Sequence, residues 1–435
     1  MKHSKKKDKR FKRIIISLIF IPAFTVLYVI GLNSNYLIRK PVFYLILVLL
    51  IALFILLFVN LVSYNKNKGE IKRKLKKKVK IFLIILYCIY FVCCNGFLIL
   101  LYGRNDKFRT WLITTAMQTM NHQYLCKWFY NNDIINQVIN SNKVEESGES
   151  TDTSLVKHKD KFRKETYKDE YEKEILDVDD DTKYKIIELN VNGCKGYLAA
   201  IYDPSKVKVA TTDYIGVKGE YVTTMAEKRN ALLAINAGGF YDPGNSSRGG
   251  TPTGITISEG KIITNGEYGN NNQGGGIIGF TNDNVLMLVK NKTAQQALDM
   301  GIRDAVSWGP FLIVNGKPSF IRGNGGWGYA ARSAIGQRED GIVLLLVIDS
   351  NSTRTKGADM VDLSEIMQRY GAINAANLDG GTSSVMVMPR EIAKSKYNAR
   401  CTDYYTKKYC AINDPIDGEL KHQTRPIADS WVVVE

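Results

Sequence analysis

The pattern of apolar and polar positions divides the chain into two parts with different surroundings. Residues 14–32, 41–64 and 81–102 form three apolar runs without a charged side chain. A helix of about 20 apolar residues crosses the hydrocarbon core of a bilayer. A buried core helix or a cleaved signal peptide explains one such run but not three in succession, so the pattern predicts three transmembrane helices.

Positive charge flanks these runs unevenly. Lys and Arg cluster in residues 2–13 and 66–80, whereas the loop at residues 33–40 carries only two basic residues. Basic loops stay in the cytoplasm. We therefore expect a multi-pass cell-membrane protein with a cytoplasmic N-terminus, basic segments that contact the lipid bilayer, and an extracellular remainder.

The formal net charge of +16 belongs to the predicted membrane part. Residues 1–102 hold 19 Lys and Arg against 2 Asp and Glu, and the other residues hold 40 against 41. A basic charge confined to membrane flanks does not indicate a nucleic-acid partner. The nearly neutral remainder is long enough to bury a sizeable core.

The pattern changes twice beyond the membrane part. Residues 107–140 repeat apolar side chains at near-helical spacing, which predicts packing or interfacial helices. Residues 141–183 are rich in Ser, Thr and charged residues, which is typical of a solvated tether or helix. We place the domain boundary near Asp181.

Short apolar runs separated by glycine-containing turns follow from residue 185 and predict strands. Helices are predicted at residues 293–301 and 359–370, the second capped by Asp359. The predicted fold is a strand-rich α+β extracellular domain with interleaved helices, preceded by three transmembrane helices. The predicted domains are residues 1–102, 103–181 and 182–435.

The four histidines restrict the chemistry of the outer domain. Only His422 lies in residues 182–435, so a Ser-His-Asp triad or a multi-histidine metal site has little support. The sequence has no phosphate-binding loop of the GxxxxGK[ST] type. Carboxylates remain as the groups that could transfer protons, with Asn, Arg and backbone amides as stabilisers.

Glycines and strand-end carboxylates mark the candidate site. Residues 236–281 contain 13 of the 36 glycines, which fits either tight turns or close approach of backbone N–H groups to an anion such as phosphate. Asp349 and Asp379 each follow an apolar strand. Each is suited to acid, nucleophile or hard-cation chemistry, although an Asp-Gly pair is more often a turn cap.

Several motifs in register resemble the phosphodiester glycosidase family. They are Asn-Ala-Gly-Gly-Phe-Tyr at 236–241, Pro-Thr-Gly-Ile at 252–255, Gly-Pro-Phe-Leu-Ile-Val-Asn-Gly at 309–316, Arg-Ser-Ala-Ile-Gly at 332–336, Asn-Leu-Asp-Gly-Gly-Thr-Ser-Ser at 377–384 and the closing segment from Arg425. The resemblance covers roughly residues 185–435. The family often has a third glycine where this chain has Thr382, which adds a hydroxyl beside the site.

The resemblance implies a hydrolase for a sugar-1-phosphodiester of the N-acetylglucosamine type, acting on cell-envelope glycan or exopolysaccharide. Arg332 would clamp the phosphate, since a guanidinium binds its oxygens as a fork, or would form a structural ion pair. Asp379 would be the acid or nucleophile, with Asp349 and Asp242 as partner carboxylates. Asn236 would hold a sugar hydroxyl or amide.

The remaining candidates are backbone and lining groups. Four glycines would let the backbone approach the ligand, three hydroxyls would bind phosphate or cap the turn, and three aromatics would line the sugar or pack in the core. These are Gly238, Gly239, Gly380, Gly381, Thr382, Ser383, Ser384, Trp308, Trp327 and Tyr329.

Other interpretations stay open at this stage. The outer domain could bind glycans without turnover, and the spans could transport a solute, although anchoring is simpler for spans without charge or repeat. A divalent cation (Ca²⁺ or Mg²⁺) suits Asp349 and Asp379, but no loop matches an EF-hand. A Cys401–Cys410 disulfide is compatible with an extracellular domain. The sugar, aglycone, anomer and oligomeric state are not indicated.

Overall fold

The computed structural model describes the chain in segments that form two compact units, Met1–Asn140 and Ser141–Glu435. The described segments are residues 2–34, 41–65, 77–104, 106–119, 122–241, 248–266, 276–350, 356–401, 408–417, 420–421 and 424–435.

The first unit is helical. Its helices are α1 (Lys2–Asn33), α2 (Pro41–Asn65), α3 (Lys77–Tyr102), α4 (Asp106–Met117), α5 (Tyr124–Lys127) and α6 (Asn132–Ser141). All three apolar runs are therefore helical. Two stretches, Arg13–Asn33 and Ile84–Tyr102, are long and apolar enough to cross a membrane, and the described apolar part of α2, Tyr44–Val59, is shorter. The structure thus shows two candidate membrane helices where the sequence predicts three.

The helices after α3 confirm the helical periodicity predicted for residues 107–140, in three pieces. Ile113, Cys126 and Ile135 are buried in one apolar cluster. The Tyr130 hydroxyl donates to the Leu101 carbonyl at 3.1 Å. Packing within this unit therefore joins the short helices to the end of α3.

The second unit contains the predicted strand-rich α+β fold. Its helices are α7 (Glu170–Leu176), α8 (Val222–Lys228), α9 (Ala294–Asp299), α10 (Met360–Arg369) and α11 (Arg390–Tyr397). Its strands are β1 (Val144–Glu145), β2 (Tyr184–Val191), β3 (Cys194–Ile201), β4 (Val207–Thr211), β5 (Leu233–Asn236), β6 (Ile255–Ser258), β7 (Lys261–Asn265), β8 (Gly276–Thr281), β9 (Leu286–Val289), β10 (Ile302–Trp308), β11 (Phe311–Val314), β12 (Lys317–Pro318), β13 (Phe320–Ile321), β14 (Arg332–Arg338), β15 (Val343–Ile348), β16 (Ala372–Asn377), β17 (Met386–Pro389), β18 (Tyr409–Ala411), β19 (Ile416–Asp417), β20 (Leu420–Lys421) and β21 (Asp429–Val433).

Three sheets build this unit, and every ladder between described strands is antiparallel. The strand orders are β12-β11-β16-β14-β15-β3-β2 in the first sheet, β7-β6-β10-β8-β9 in the second and β18-β17-β5-β21-β4 in the third. Two-stranded ladders join β1 to β13 and β19 to β20.

One face of each sheet meets a central core, and a helix covers the other face. In β15, Val343, Leu345 and Val347 point into the central core that all three sheets share. The alternate residues Leu344 and Leu346 pack in the cluster that contains α10. Because successive side chains of a strand alternate between faces, a strand buried on both sides is apolar throughout.

Helices α8 and α9 cover the other two sheets in the same way. Both predicted helix starts of the outer unit are confirmed. Thr293 and Asp359 cap α9 and α10, each in a reciprocal arrangement with the side chain three residues later.

Residues 141–181 pack on the rest of the second unit, which differs from the expectation of a solvated tether or helix. β1 pairs with β13, and the Thr151 amide donates to the Leu288 carbonyl at 3.3 Å. Phe162 and Ile175 are buried against the first sheet. A few well-placed apolar residues thus hold a segment whose composition is mainly polar, which average composition cannot reveal.

A disulfide joins Cys401 to Cys410, the pair that the sequence analysis left open. Cys126 and Cys194 are buried and lie outside this disulfide. The disulfide lies next to β18, at the edge of the third sheet.

Replacing Phe280 tests the shared core. Phe280 is fully buried and meets the ring of Trp431 edge-on, with 5.6 Å between centroids. We expect Phe280→Ala to lower the free energy of unfolding by about 3–5 kcal/mol, since it removes transfer energy and leaves a cavity. Thermal melting of the full chain measures this.

Phe320→Ala is the matched control, because Phe320 is 63% exposed. Its effect should stay within about 0.5 kcal/mol. Equal losses of melting temperature in the two variants would contradict the assignment of the core.

Candidate active site

The turn that carries Asp379 connects the first sheet to the third. It follows β16 and enters β17 through a 3-10 turn at Gly381–Ser383. The Asp379 amide donates to the Ala237 carbonyl at 3.0 Å, and the Asn236 side-chain amide donates to the Asp379 carbonyl at 2.7 Å. The backbone of Asp379 is therefore fixed on both sides by residues at the end of β5.

Asn236 holds this turn from within. Its side chain is 1% exposed, and its oxygen accepts the Ser333 hydroxyl at 2.7 Å and the Val385 amide at 3.1 Å. Both acceptor positions of the amide are thus used by the protein. The structure places Asn236 as a link between the sheets, where the sequence analysis expected a contact with the sugar.

The Asp379 carboxylate is partly exposed and held from its own turn. The Gly380 amide donates to it at 3.0 Å, and the Ser383 hydroxyl also bonds to it. Burial raises the pKa of Asp379, while these bonds and the charges of Arg425 and Arg332 oppose the rise. The carboxylate therefore lies in the field of two guanidinium groups.

Arg332 begins β14 and is 4% exposed. Its Nε donates to the Ala358 carbonyl at 3.1 Å. Its Nη2 donates to the carbonyls of Trp327 and Gly328, at 2.6 and 2.7 Å. Burial lowers the pKa of Arg332 to about 10, opposed by Asp359 and Asp379. A side chain at Gly380 would lie 3.3 Å from Nη1, so this remaining corner of the guanidinium faces the Asp379 turn.

Arg425 is the second cation of the site, and the sequence analysis did not name it as a site residue. It is partly exposed, and its Nη1 donates to the Thr382 hydroxyl at 2.9 Å. Its guanidinium lies 4.7 Å from the centre of the Phe240 ring, a cation–π distance. The threonine that departs from the family pattern thus holds an arginine next to the turn.

Asp429 is a buried carboxyl that the sequence analysis also missed. It is 1% exposed and accepts the Gly238 amide at 2.7 Å and the Thr256 hydroxyl at 3.3 Å. Burial raises the pKa of Asp429 to about 7, and the charge of Asp379 adds to the rise. The available signal was its place in the closing segment from Arg425, at the start of β21.

Asp349 lies at the far side of the turn. It accepts the Asn413 side-chain amide at 2.9 Å and the Asp414 backbone amide at 3.1 Å. Asn413 also donates to the Ser384 carbonyl at 3.1 Å, which connects Asp349 to the end of the turn. Burial raises the pKa of Asp349 to about 6. The described contacts link it to Asp379 only through Asn413 and the turn.

Asp242, the other predicted partner carboxylate, lies outside the described residues.

The predicted glycines serve two different purposes. An added side-chain carbon at Gly239 would lie 1.8 Å from the Trp308 ring, and one at Gly238 would lie 3.2 Å from the Asp429 carboxylate. The absence of a side chain at these two glycines lets Trp308 and Asp429 lie against the backbone, where the sequence predicted the approach of a ligand. Gly381 has φ +64° and open space where its side chain would be, and Gly380 faces Arg332.

The remaining predicted residues surround this centre. Ser384 Oγ and Trp308 Nε1 are buried and have no hydrogen-bond partner among the described residues. The Trp308 and Trp327 rings meet edge-on at 6.1 Å, and Trp327 lies beneath the Arg332 guanidinium. Tyr329 is 36% exposed. Nowhere in the described segments do three or more His, Cys, Asp or Glu side chains form a group that could hold a metal ion.

Comparison with known proteins finds a family model that matches the part of the chain that carries this site. Residues 229–434 match the family model for phosphodiester glycosidases. The predicted resemblance to that family is confirmed.

Individual relatives of the phosphodiester glycosidase region are distant. A prophage-derived uncharacterized protein of Bacillus subtilis is 28% identical over 190 residues, which are 42% of this chain and 28% of that protein. This chain thus matches just over a quarter of the length of that relative.

Two solved structures are also similar. The zebrafish N-acetylglucosamine-1-phosphodiester alpha-N-acetylglucosaminidase catalytic domain, auto-inhibited by its pro-peptide, is 20% identical, with a TM-score of 0.42 over 58% of this chain and 82% of that chain. A hypothetical protein from Synechocystis is 15% identical, with a TM-score of 0.34 over 57% and 61% of the two chains.

The pKa of Asp429 predicts a pH dependence of stability in the phosphodiester glycosidase region. Between the ordinary pKa of 3.8 and the folded pKa of about 7, the folded state binds a proton that the unfolded state has released. Stability therefore falls as pH rises through this window. Asp429→Asn keeps an acceptor for Gly238 but does not ionise.

We expect the melting temperature of Asp429→Asn, relative to the natural protein, to be higher at pH 8 than at pH 4.5. Melting curves of the full chain at the two pH values measure the difference. A difference that is the same at both values would show that Asp429 is not protonated at low pH in the folded protein.

Proposed function

We propose that the protein is a membrane-anchored hydrolase that cleaves the bond between the anomeric carbon of a sugar and the phosphate oxygen of a sugar-1-phosphodiester. The observation that carries the proposal is the position of Asp379, a partly exposed residue whose carboxylate lies in the field of Arg332 and Arg425. The phosphodiester glycosidase match over residues 229–434 supports the reaction class.

The charges suit a phosphodiester. Its single negative charge is delocalised over phosphate oxygens, which guanidinium groups bind well. In hydrolysis, an oxygen of water joins the anomeric carbon, and the phosphate leaves with the electron pair of the broken bond. The products are a free sugar and a phosphomonoester, whose phosphate the two arginines bind as they bind that of the substrate.

Each site residue has a role in this proposal. Asp379 is the group that acts on the sugar, as acid or nucleophile, and Arg332 Nη1 clamps the phosphate. Arg425 binds the phosphate from the other side of the turn. Asn236 and Asp349 are positioning residues, since hydrogen bonds within the protein occupy both side chains. Asp429 holds the Gly238 amide beneath the site and is close enough to Asp379 for the charge of Asp379 to raise its pKa.

The first unit would anchor this domain in the cell membrane. Large apolar side chains on α2 and α3 are exposed in the structure, among them Phe58, Val92 and Ile99. Such surfaces are stable in lipid and costly in water. We propose three spans with a cytoplasmic N-terminus and an extracellular second unit, acting on cell-envelope glycan or exopolysaccharide, on the basis of the basic flanks.

Replacing the carboxylate tests the reaction. We expect Asp379→Asn to lower kcat by about 10²–10⁴-fold, because the variant retains the arginines but loses the group that reacts or transfers the proton. Release of N-acetylglucosamine from a UDP-linked or mannose-phosphate-linked diester by the full chain in detergent measures this, with and without a chelator.

Asp203→Asn is the control, since Asp203 caps a surface turn far from β16 in the sequence. It should retain full turnover. Unchanged turnover in Asp379→Asn would remove Asp379 from the mechanism. Substrate binding without turnover in the natural protein would favour the glycan-binding alternative.

Thr382 tests the role of Arg425. Thr382→Val keeps the shape of the side chain but removes the hydroxyl that accepts from Arg425. We expect KM to rise about fivefold, equivalent to about 1 kcal/mol, with kcat little changed, because a binding group loses its orientation. Thr382→Ser keeps the hydroxyl and should resemble the natural protein. Equal KM values in the two variants would exclude this role.

A further inference from the structure

The segment that enters the second unit packs against a glycine-rich loop. We call residues 141–159 the strap and residues 322–328 the glycine loop. The loop contains four glycines with positive φ, at 323, 325, 326 and 328. This conformation is rarely adopted by other residues.

Asn142 in the strap is the contact around which the loop folds. It is 8% exposed, and its side-chain oxygen accepts the Asn324 amide at 3.3 Å. A side chain at Gly323 would lie 2.0 Å from this oxygen, and one at Gly326 would lie 2.3 Å from the Asn142 carbonyl. The glycines are therefore required because the loop backbone lies directly on Asn142.

Further contacts fasten the two segments together. The Arg322 amide donates to the Lys143 carbonyl at 2.9 Å, and β1 pairs with β13 just before the loop. Glu145 forms an ion pair with Arg322 at 3.0 Å. The loop thus has a fixed neighbour along its first half.

The second half of the same loop holds Arg332. The carbonyls of Trp327 and Gly328 are the two acceptors of Arg332 Nη2. A shift of these carbonyls would rotate the guanidinium and move Nη1 relative to Gly380 and Asp379. The path from Asn142 to the phosphate clamp therefore runs through fewer than ten residues of loop.

We infer that Asn142 is a positioning residue for the phosphate clamp: the strap fixes the glycine loop, and the loop fixes the Arg332 guanidinium. This inference rests on the proposed function for the role of Arg332. Asn142 lies outside residues 229–434. The positioning contact therefore comes from the segment that precedes the phosphodiester glycosidase region.

The test compares Asn142→Ala with the natural full chain in detergent, in two independent readouts. Hydrogen exchange of the amides in residues 322–326 should become faster, by at least about tenfold at the Asn324 amide, which loses its acceptor. KM for the sugar-1-phosphodiester and the Kd of inorganic phosphate should each rise about tenfold, with kcat within about twofold.

Two further variants separate positioning from general destabilisation. Glu149→Gln removes a charge from the same strap, at a side chain that pairs with Lys317 on the surface, and should change neither readout. In an Arg332→Lys background, Asn142→Ala should raise KM less than about twofold. Asn142 acts through the guanidinium of Arg332, which that background lacks.

Each outcome has one meaning. Unchanged exchange in residues 322–326, or faster exchange with unchanged phosphate affinity, overturns the inference. The same holds if Asn142→Ala costs as much in the Arg332→Lys background as alone. If the natural protein turns over no sugar-1-phosphodiester, the proposed function fails, and the exchange and phosphate readouts still decide the role of Asn142.

Discussion

The burial of the Arg332 guanidinium is the constraint on which the site depends. A cation removed from water costs several kcal/mol unless its donors are satisfied. Here three backbone carbonyls take donors from two of its nitrogens, and the charges of Asp359 and Asp379 keep it ionised. Carbonyls can converge in this way only where the chain bends tightly, which explains the glycines on both sides of Trp327.

The three-sheet core gives the site its rigidity. Arg332 begins a strand of the first sheet, Asp429 begins a strand of the third, and Trp308 ends a strand of the second. The turn of Asp379 crosses from the first sheet to the third, and Asn236 bonds to both. A site assembled from strand ends in this way moves little, because every shift would disturb a packed core.

The sequence predicted the strands and helices well, since alternation and caps are local signals. Val343–Ile348 and the Asp359 cap show this directly. It also selected Asp379 and Arg332 as candidate site residues, through motifs that resemble a family. The packing of residues 141–181 escaped prediction because only a few apolar side chains, such as Phe162, hold a mostly polar segment.

The division of labour within the site was not predictable from residue type. Asn236 has the chemistry of a ligand-binding residue, yet the fold uses both of its acceptor positions. Arg425 and Asp429 lie in the closing segment that resembles the family, but they acquire a role only through contacts distant in sequence, with Thr382 and Gly238. Glycine density likewise gives no indication whether a ligand or a Trp308 ring lies over the backbone.

A crystal structure of the Asp379→Asn variant with an N-acetylglucosamine-1-phosphodiester would show whether Arg332 and residue 379 bind one substrate. We expect a phosphate oxygen within hydrogen-bond distance of Arg332 Nη1, with the anomeric carbon next to residue 379. A ligand bound elsewhere on the second unit, with Nη1 of Arg332 in contact only with protein, would contradict it.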